Sequence, residues 1–364
     1  MHKPLRVGVV GCGYWGPNLI RNFNGLSDCT LKCICDLSTE RLKHMKALYP
    51  AVETTKDFDH LLNGAEVDAV AIATSVHTHF KMAKACLLAG KHVFIEKPMA
   101  SSSAECDELI ELAEKKGLIL MVGHTFLYSA HIRKIKELVD RGDIGEIRYI
   151  SSRRLNLGLF QKNLNVAWDL APHDIAIVLY IMGELPVSVN CWGNAHITKG
   201  VEDVTSMCIN FNKERFATIQ SSWLDPRKVR DMTFIGTKRM IIYDDMQPVE
   251  KVKIHDMRVE APPHYDTFAE FQYSYHYGDQ YIPFVKQEEP LKVECQHFLD
   301  CIRHSKQPMT DGKQGLAVVK ILEASSASLK QKGAMVPVVY QSQEKNNGHV
   351  SLTAAKQPAD VVLA

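Results

Sequence analysis

With 364 residues, 46% apolar and 23% charged, the chain has the length for two domains and the composition of a soluble globular protein. A formal net charge of +1 gives no general attraction to nucleic acid or an anionic membrane. No apolar run approaches the roughly 20 residues of a spanning helix, the start of the chain lacks a signal-peptide core, and ten scattered cysteines make no disulfide framework, so a reducing cytoplasm is expected.

The chain opens on an apolar strand over 5–10 that runs into Gly11-Cys12-Gly13-Tyr14-Trp15-Gly16 and a helix over 15–25. A second apolar stretch, 31–36, ends on Asp36, twenty residues after Gly16. This is the layout of a dinucleotide site. Gly11 permits the turn, Gly13 lets backbone N–H groups approach a pyrophosphate, and Gly16 lets the helix pack close with its N-terminus towards the phosphates. Tyr14 and Trp15 ride on the same turn. Asp36 is placed to accept from ribose hydroxyls. No basic residue flanks it, and its carboxylate would repel a 2′-phosphate, so NAD is favoured over NADP. Arg41, a turn further on, leaves NADP open. A purely structural glycine turn is the plain alternative. Cys33 and Cys35 share a strand face but lack C-x-x-C spacing and a second pair, so they read as buried thiols and no metal is expected.

Strand and helix keep alternating. Strands are expected near 68–73, 92–96 and 118–122, and helices over 39–48, 77–89 and 103–116, with Gly90 and Gly117 as C-terminal caps and Ser102 or Ser103 as an N-cap. Alternation with buried apolar strands predicts an α/β, doubly wound parallel sheet over 1–124. Ligands of such sheets lie beyond the carboxyl ends of the strands. Thr74 and Ser75, Glu96-Lys97-Pro98, and His124 with Thr125 fall at such ends. His77 and His79 begin a helix at the crevice, where they touch cofactor or cap. Lys97 at the rim is placed to hydrogen-bond a substrate hydroxyl and favour an alkoxide-like transition state. The alternative is a surface lysine paired with Glu96.

From 125 the pattern changes. A helix over 129–141, a strand over 147–156 and a helix over 170–182 precede strands near 187–197, 203–211, 215–223, 230–236 and 239–243, whose short turns imply an antiparallel sheet. Helices follow over 291–304 and 312–331, the second packing back on the first sheet. This defines an α+β unit over 125–340, with 341–364 a mobile tail. Within Trp168-Asp169-Leu170-Ala171-Pro172-His173-Asp174, Pro172 belongs in a first helical turn. Asp169 and His173, four apart, share a face there. A carboxylate beside an imidazole raises its basicity and suits a base that takes a hydroxyl proton. A helix cap plus a satisfied histidine is the alternative, and Asp174 reads as structural. Basic residues recur at Arg153, Arg154, Lys162, Arg227, Lys228 and Arg230. Lys228 and Arg230 share a face in an extended segment and would hold a diphosphate, against a default of solvated charge. Asn156, Asn165 and Trp223 are candidates for the same pocket.

The glycine motif, Glu96-Lys97-Pro98, and Asp169 with His173 together resemble the glucose–fructose oxidoreductase and inositol dehydrogenase family, Gfo/Idh/MocA, over most of 5–340. The resemblance implies a Rossmann domain followed by an open-sheet domain that joins copies into a homodimer or homotetramer. It implies that Lys97, Asp169 and His173 form the catalytic group. It places Gly11, Gly13, Tyr14, Trp15, Gly16, Asp36, Thr74, His79, Glu96 and Lys97 at the NAD site. It places His124, Tyr128, Arg154, Asn156, Asn165, Trp168, Lys228 and Arg230 at the substrate. Two places depart from the family pattern: Thr74-Ser75 stands where Thr-Pro is common, and Gly123-His124-Thr125-Phe126 where many members carry Asn and Arg. The Gly-His-Thr-Phe version looks like the branch acting on nucleotide-linked sugars. It implies NAD-dependent oxidation of a sugar secondary alcohol, with UDP-N-acetylglucosamine oxidised at C3 as the functional model. An inositol or free-sugar dehydrogenase, and a non-catalytic regulator that binds NAD and sugar, are the alternatives.

Overall fold

The computed structural model describes residues 3–260 and 273–340. Its first half is a six-stranded sheet in the order β3-β2-β1-β4-β5-β6, every pair parallel. The strands are β1 (Leu5–Val10), β2 (Cys29–Cys35), β3 (Glu53–Thr55), β4 (Ala69–Ile72), β5 (His92–Glu96) and β6 (Leu120–Gly123). The helices between them are α1 (Gly16–Asn24), α2 (Thr39–Leu48), α3 (Val76–Leu88) and α4 (Ser103–Lys116). Strand order reverses between β1 and β4, which opens a crevice at the carboxyl ends there. The short, polar β3 was not expected from the sequence. It is an edge strand of three residues, Glu-Thr-Thr, with no apolar run to announce it. Ser102 caps α4 by accepting from the Glu105 N–H, and Gly117 closes that helix at φ +64°.

The second half is a nine-stranded sheet in the order β14-β13-β12-β11-β7-β10-β9-β8-β15. Its strands are β7 (Ile147–Leu157), β8 (Ser188–Asn194), β9 (Val204–Asn210), β10 (Phe216–Ser222), β11 (Leu224–Gly236), β12 (Met240–Asp244), β13 (Val252–Glu260), β14 (Ser274–Tyr281) and β15 (Val336–Pro337). All neighbours are antiparallel except β7 and β10. β10 enters beside β7 only after a helix and a hairpin have intervened, so the direction of the chain repeats. β11 starts earlier than expected because its first residues pair Leu224 with Leu157. Residues 225–228 then bulge out before Val229 meets Leu155. β13 and β14 lie beyond the strands expected from the sequence.

α6 (Val166–Met182) packs on β7, β9 and β10 of that sheet, and α5 (Ala130–Asp140) packs beside α6. α6 begins four residues before the expected start at 170, because Asn165 caps it, accepting from the Trp168 N–H at 3.1 Å. Pro172 therefore lies inside the helix and not in its first turn. Its ring removes the N–H that would bond the Trp168 carbonyl.

Two late helices, α7 (Pro290–His304) and α8 (Gly312–Lys330), tie the sheets together. α7 inserts Phe298 edge-to-face against Phe94 of β5 and Phe23 of α1, with ring centroids 5.7 and 6.3 Å away. α8 lies against α4 and α6, and the Val122 N–H of β6 donates to the Thr310 carbonyl at 2.8 Å. Both helices thus pack on the first sheet, where only α8 was expected to. The core is accordingly continuous: one buried cluster runs from Val7 and Phe94 through Ile175 and Phe298 to Ile254. No helix among the described residues is long and apolar enough to cross a membrane, and the tail expected at 341–364 lies outside those residues.

Candidate active site

The glycine turn has the shape its residues predict. Gly11 adopts φ +95°, and a Cβ on Gly16 would stand 1.8 Å from the Gly11 carbonyl oxygen, so helix and turn touch backbone to backbone. A Cβ on Gly13 would meet nothing nearer than Arg41 Nη1 at 3.9 Å, which leaves this side of the turn open for a pyrophosphate. Asp36 crosses from β2 to brace the turn: its Oδ2 accepts from the Cys12 N–H at 2.6 Å and its Oδ1 from the Ser38 N–H at 2.8 Å. Arg41 folds back to 3.9 Å from the same carboxylate, so the acid has a cation beside it after all. Open turn, helix N-terminus and fixed acid together fit NAD.

Tyr14 stands out from the turn, while the Trp15 indole reaches inward to hydrogen-bond Glu96. The Thr74 and Thr78 hydroxyls are 2.7 Å apart at the end of β4. His79, expected at the cofactor, is instead a buried strut. Its Nδ1 lies 2.9 Å from the Pro98 carbonyl and its Nε2 3.1 Å from the Thr74 carbonyl. Burial pushes its pKa down, so the neutral ring donates to one of the two. The structural reason is position: residue 79 is one helical turn inside α3 and faces the sheet.

Lys97 follows β5, half-buried, and its Nζ donates to the Asp169 carbonyl at 2.8 Å, spanning the gap between the two halves of the molecule. Burial lowers its pKa, against the opposing pull of Asp169 and Glu96. It is not the surface lysine of the alternative reading. His173 stands one turn further along α6, its ring centroid 5.0 Å from that of Phe126 and its Nδ1 buried without a partner. Burial drives its pKa well below the ordinary value, and Lys97, Arg154, His124 and Arg230 add to the effect. His124 is 1% exposed, neither ring nitrogen has a partner, and burial with the nearby Lys97 pushes it down to about 3. The Lys97 amine, its basicity lowered, and two imidazoles held neutral therefore share a place at the crevice.

The expected pairing of Asp169 with His173 does not form. Asp169 Oδ2 accepts instead from the indole Nε1 of the buried Trp223 at 3.1 Å. The imidazole has no carboxylate partner and lies among cations, so its basicity falls where the sequence spacing implied a rise. Asp169 acts through its backbone carbonyl, fixed on Lys97.

The substrate candidates divide. Arg154 and Arg230 are directly opposite on β7 and β11. Arg154 is buried in a two-point pair with Asp174, with Nε–Oδ2 2.6 Å and Nη2–Oδ1 3.1 Å, and Ser152 Oγ donates to the same carboxylate at 2.9 Å. Its guanidinium lies 4.7 Å over the Phe126 ring, so Phe126 is held between Arg154 and His173. Burial alone would lower the Arg154 pKa; Asp174 raises it. Arg230 is less committed: its closest carboxylate, Asp245 Oδ2, is 3.9 Å away, and it feels Tyr14 across the cleft. Asn156 lies two residues beyond Arg154 on the same face of β7. Lys228 is exposed within the bulge and does not share the ladder position of Arg230, which corrects the expectation of a common face. Asn165 bonds Glu202 at 3.0 Å and Trp168 bonds Ser326 at 2.8 Å; both line a separate cavity of about 490 Å³ with His77 and Lys330. Tyr128, expected at the substrate, points the other way. It is buried, with its hydroxyl 3.1 Å from Thr310 Oγ1 and its ring against His297. Sequence reading gave Phe126 no task, although an aromatic between a predicted histidine and arginine was there to be noticed.

The description of an oxidoreductase family with an NAD-binding Rossmann fold, Gfo/Idh/MocA, matches residues 5–124, and that of the Gfo/Idh/MocA C-terminal domain matches residues 132–242. The chain belongs to the Gfo/Idh/MocA oxidoreductase family. Among its Gfo/Idh/MocA relatives, the myo-inositol 2-dehydrogenase of Thermotoga maritima is 27% identical over 90% of this chain and 97% of that protein. The UDP-N-acetylglucosamine 3-dehydrogenase of Acidithiobacillus ferrooxidans is 29% identical over 86% of this chain and 94% of that protein. The fold is shared with the solved structure of GenD2 from gentamicin A biosynthesis in complex with NAD, at a TM-score of 0.78 and 20% identity over 93% of this chain and 98% of that one. The Gfo/Idh/MocA chain is thus an NAD-binding oxidoreductase of a class that acts on CH–OH groups.

Proposed function

We propose that the chain oxidises a ring secondary alcohol of a sugar, with a nucleotide sugar such as UDP-N-acetylglucosamine, reacting at C3, as the substrate. The observation that carries the chemistry is the meeting of Lys97 and His173, 76 positions apart in the sequence, at the mouth of the dinucleotide crevice. NAD, when bound, supplies the hydride acceptor. Lys97, its basicity lowered by burial, takes the hydroxyl proton, and His173, kept neutral by its surroundings, hydrogen-bonds the same oxygen. This assigns the base to Lys97, because an imidazole among cations binds a proton poorly. The Asp169 carbonyl holds the amine in place, and Trp223 fixes Asp169 in turn.

The nucleotide-sugar reading draws support from Arg230, a half-exposed cation across from Tyr14 whose nearest carboxylate, Asp245, makes only a long 3.9 Å contact, suited to a substrate phosphate. The 29%-identical relative named for UDP-N-acetylglucosamine supports it too; the 27%-identical relative named for myo-inositol keeps the polyol reading alive. A turnover screen of NAD with UDP-sugars, inositols and free aldoses separates them, and reduction of NAD by inositols alone rejects the nucleotide sugar. Lys97→Ala and His173→Ala are expected to lower kcat by about 100-fold or more. Full activity in both would make the chain an NAD- and sugar-binding regulator or would move the site elsewhere.

The same reading has copies pairing through the open face of the nine-stranded sheet, where Tyr149 stacks on Phe216 at 5.3 Å and Ile242 is exposed. Ten free thiols support a reducing, cytoplasmic setting.

A further inference from the structure

His173 lacks the hydrogen bond that commonly fixes a working imidazole. Its Nδ1 is buried with no partner, and the acid expected beside it, Asp169, gives its Oδ2 to the Trp223 indole. The χ2 torsion of a histidine is broad, so a ring with nothing on Nδ1 swings unless a neighbour packs against it.

Phe126 is that neighbour. The two ring centroids are 5.0 Å apart and the planes cross at 64°, an edge-to-face contact. The Arg154 guanidinium bears on Phe126 in turn, 4.7 Å from the ring centroid. Arg154 is fixed by its two-point pair with Asp174, and Asp174 directly follows His173 on α6. The contacts therefore close a loop from α6 to β7, from β7 to Phe126, and from Phe126 back to the same turn of α6. Phe126 itself rides on a short turn, Thr125–Tyr128, that is pinned at both ends. Thr125 Oγ1 donates to the wholly buried Glu294 of α7 at 2.7 Å, and the Tyr128 hydroxyl meets Thr310 Oγ1 at 3.1 Å.

We propose that Phe126 is the positioning residue of His173: clamped by Arg154, its ring orients the imidazole where a carboxylate on Nδ1 would otherwise do so. The proposal rests on the reading of His173 given above. A carboxylate draws the imidazole proton to Nδ1 and leaves Nε2 an acceptor. An aromatic ring restrains the imidazole plane and takes no proton. Nε2–H then stays free to donate to the substrate oxygen while Lys97 receives the hydroxyl proton. Because the benefit is geometric, it shows in the rate of the bound complex and not in the binding of NAD.

The test is a double-mutant cycle of Phe126→Leu and His173→Ala, followed by steady-state oxidation of UDP-N-acetylglucosamine or myo-inositol, whichever turns over, with the Kd for NAD measured alongside. Phe126→Leu keeps an apolar side chain and removes the ring. It is expected to lower kcat about tenfold, with KM and the Kd for NAD within about threefold. In the His173→Ala background the same change is expected to alter kcat by less than about twofold, because the group it serves is gone. Phe126→Tyr, which keeps the ring, is expected to retain about half the parental kcat or more. Phe126→Met takes the place of Phe126→Leu if the latter fails to bind NAD. Equal losses in both backgrounds overturn the proposal, since a residue that serves the fold at large loses rate with or without His173. A raised KM with unchanged kcat also overturns it and makes Phe126 a substrate contact. So does a Phe126→Tyr as slow as Phe126→Leu. A fully active His173→Ala instead brings down the reading of the site itself.

Discussion

Trp223 and Asp174 show how far a residue's task depends on its partner. Asp174 was expected to be structural from its place on α6, and the structure gives it a buried guanidinium and a serine hydroxyl. Replacing it by Asn or Ala leaves Arg154 charged and unpaired beneath Phe126, and is expected to cost about 3–5 kcal/mol in urea denaturation. Trp223→Phe keeps the ring but removes the N–H on Asp169. About 1 kcal/mol of stability should go with it. The Lys97–Asp169 contact should also loosen, which a drop in kcat larger than any change in NAD affinity would report. Gly16→Ala is a steric change at the turn. With 1.8 Å between the new Cβ and the Gly11 oxygen, the turn has to shift. The Kd for NAD, followed by calorimetry, is expected to rise more than tenfold, while a variant with parental affinity would show that the turn does not seat the pyrophosphate.

Among the elements, β1 and its glycine turn, β4, β5 and β6 were legible because each is a short apolar run closed by a polar residue, and the parallel order follows from the helices between them. α7 was legible as a helix but not as a part of the site. Its Glu294 lies three residues from Leu291 and four from Phe298, on the apolar face of the helix, but nothing in the sequence says which segments pack over it. Phe298, in contrast, anchors that helix: Phe298→Ala opens a cavity against Phe23 and Phe94 and is expected to cost about 3–5 kcal/mol. The β11 bulge was invisible for a different reason: alternation of side chains assumes an unbroken ladder, and the looped-out residues 225–228 separate Lys228 from Arg230.

For the molecule as a whole, burial of uncharged imidazoles links folding to pH. The unfolded chain binds a proton at residue 124 below pH 6.5, whereas the folded one does so only at about pH 3. The stability that this histidine preserves is complete above pH 6.5 and drains as pH falls towards 3. Against His124→Gln, the parent should therefore lose about 3 kcal/mol of relative stability between neutrality and pH 4, measured by denaturation at each pH. Equal slopes would mean that His124 is solvated or partnered. The sequence by itself determined the two-part plan, the dinucleotide turn with its acid, and the residue types gathered at strand ends, because hydrophobic periodicity and glycine turns are local signals. Only the tertiary structure decided that Asp169 serves Lys97 rather than His173, that Tyr128 and His79 turn inward, and that Phe126 stands between Arg154 and His173. Those facts depend on which surfaces meet when separate elements pack, and no spacing along the chain encodes the direction of a side chain across an interface between distant segments.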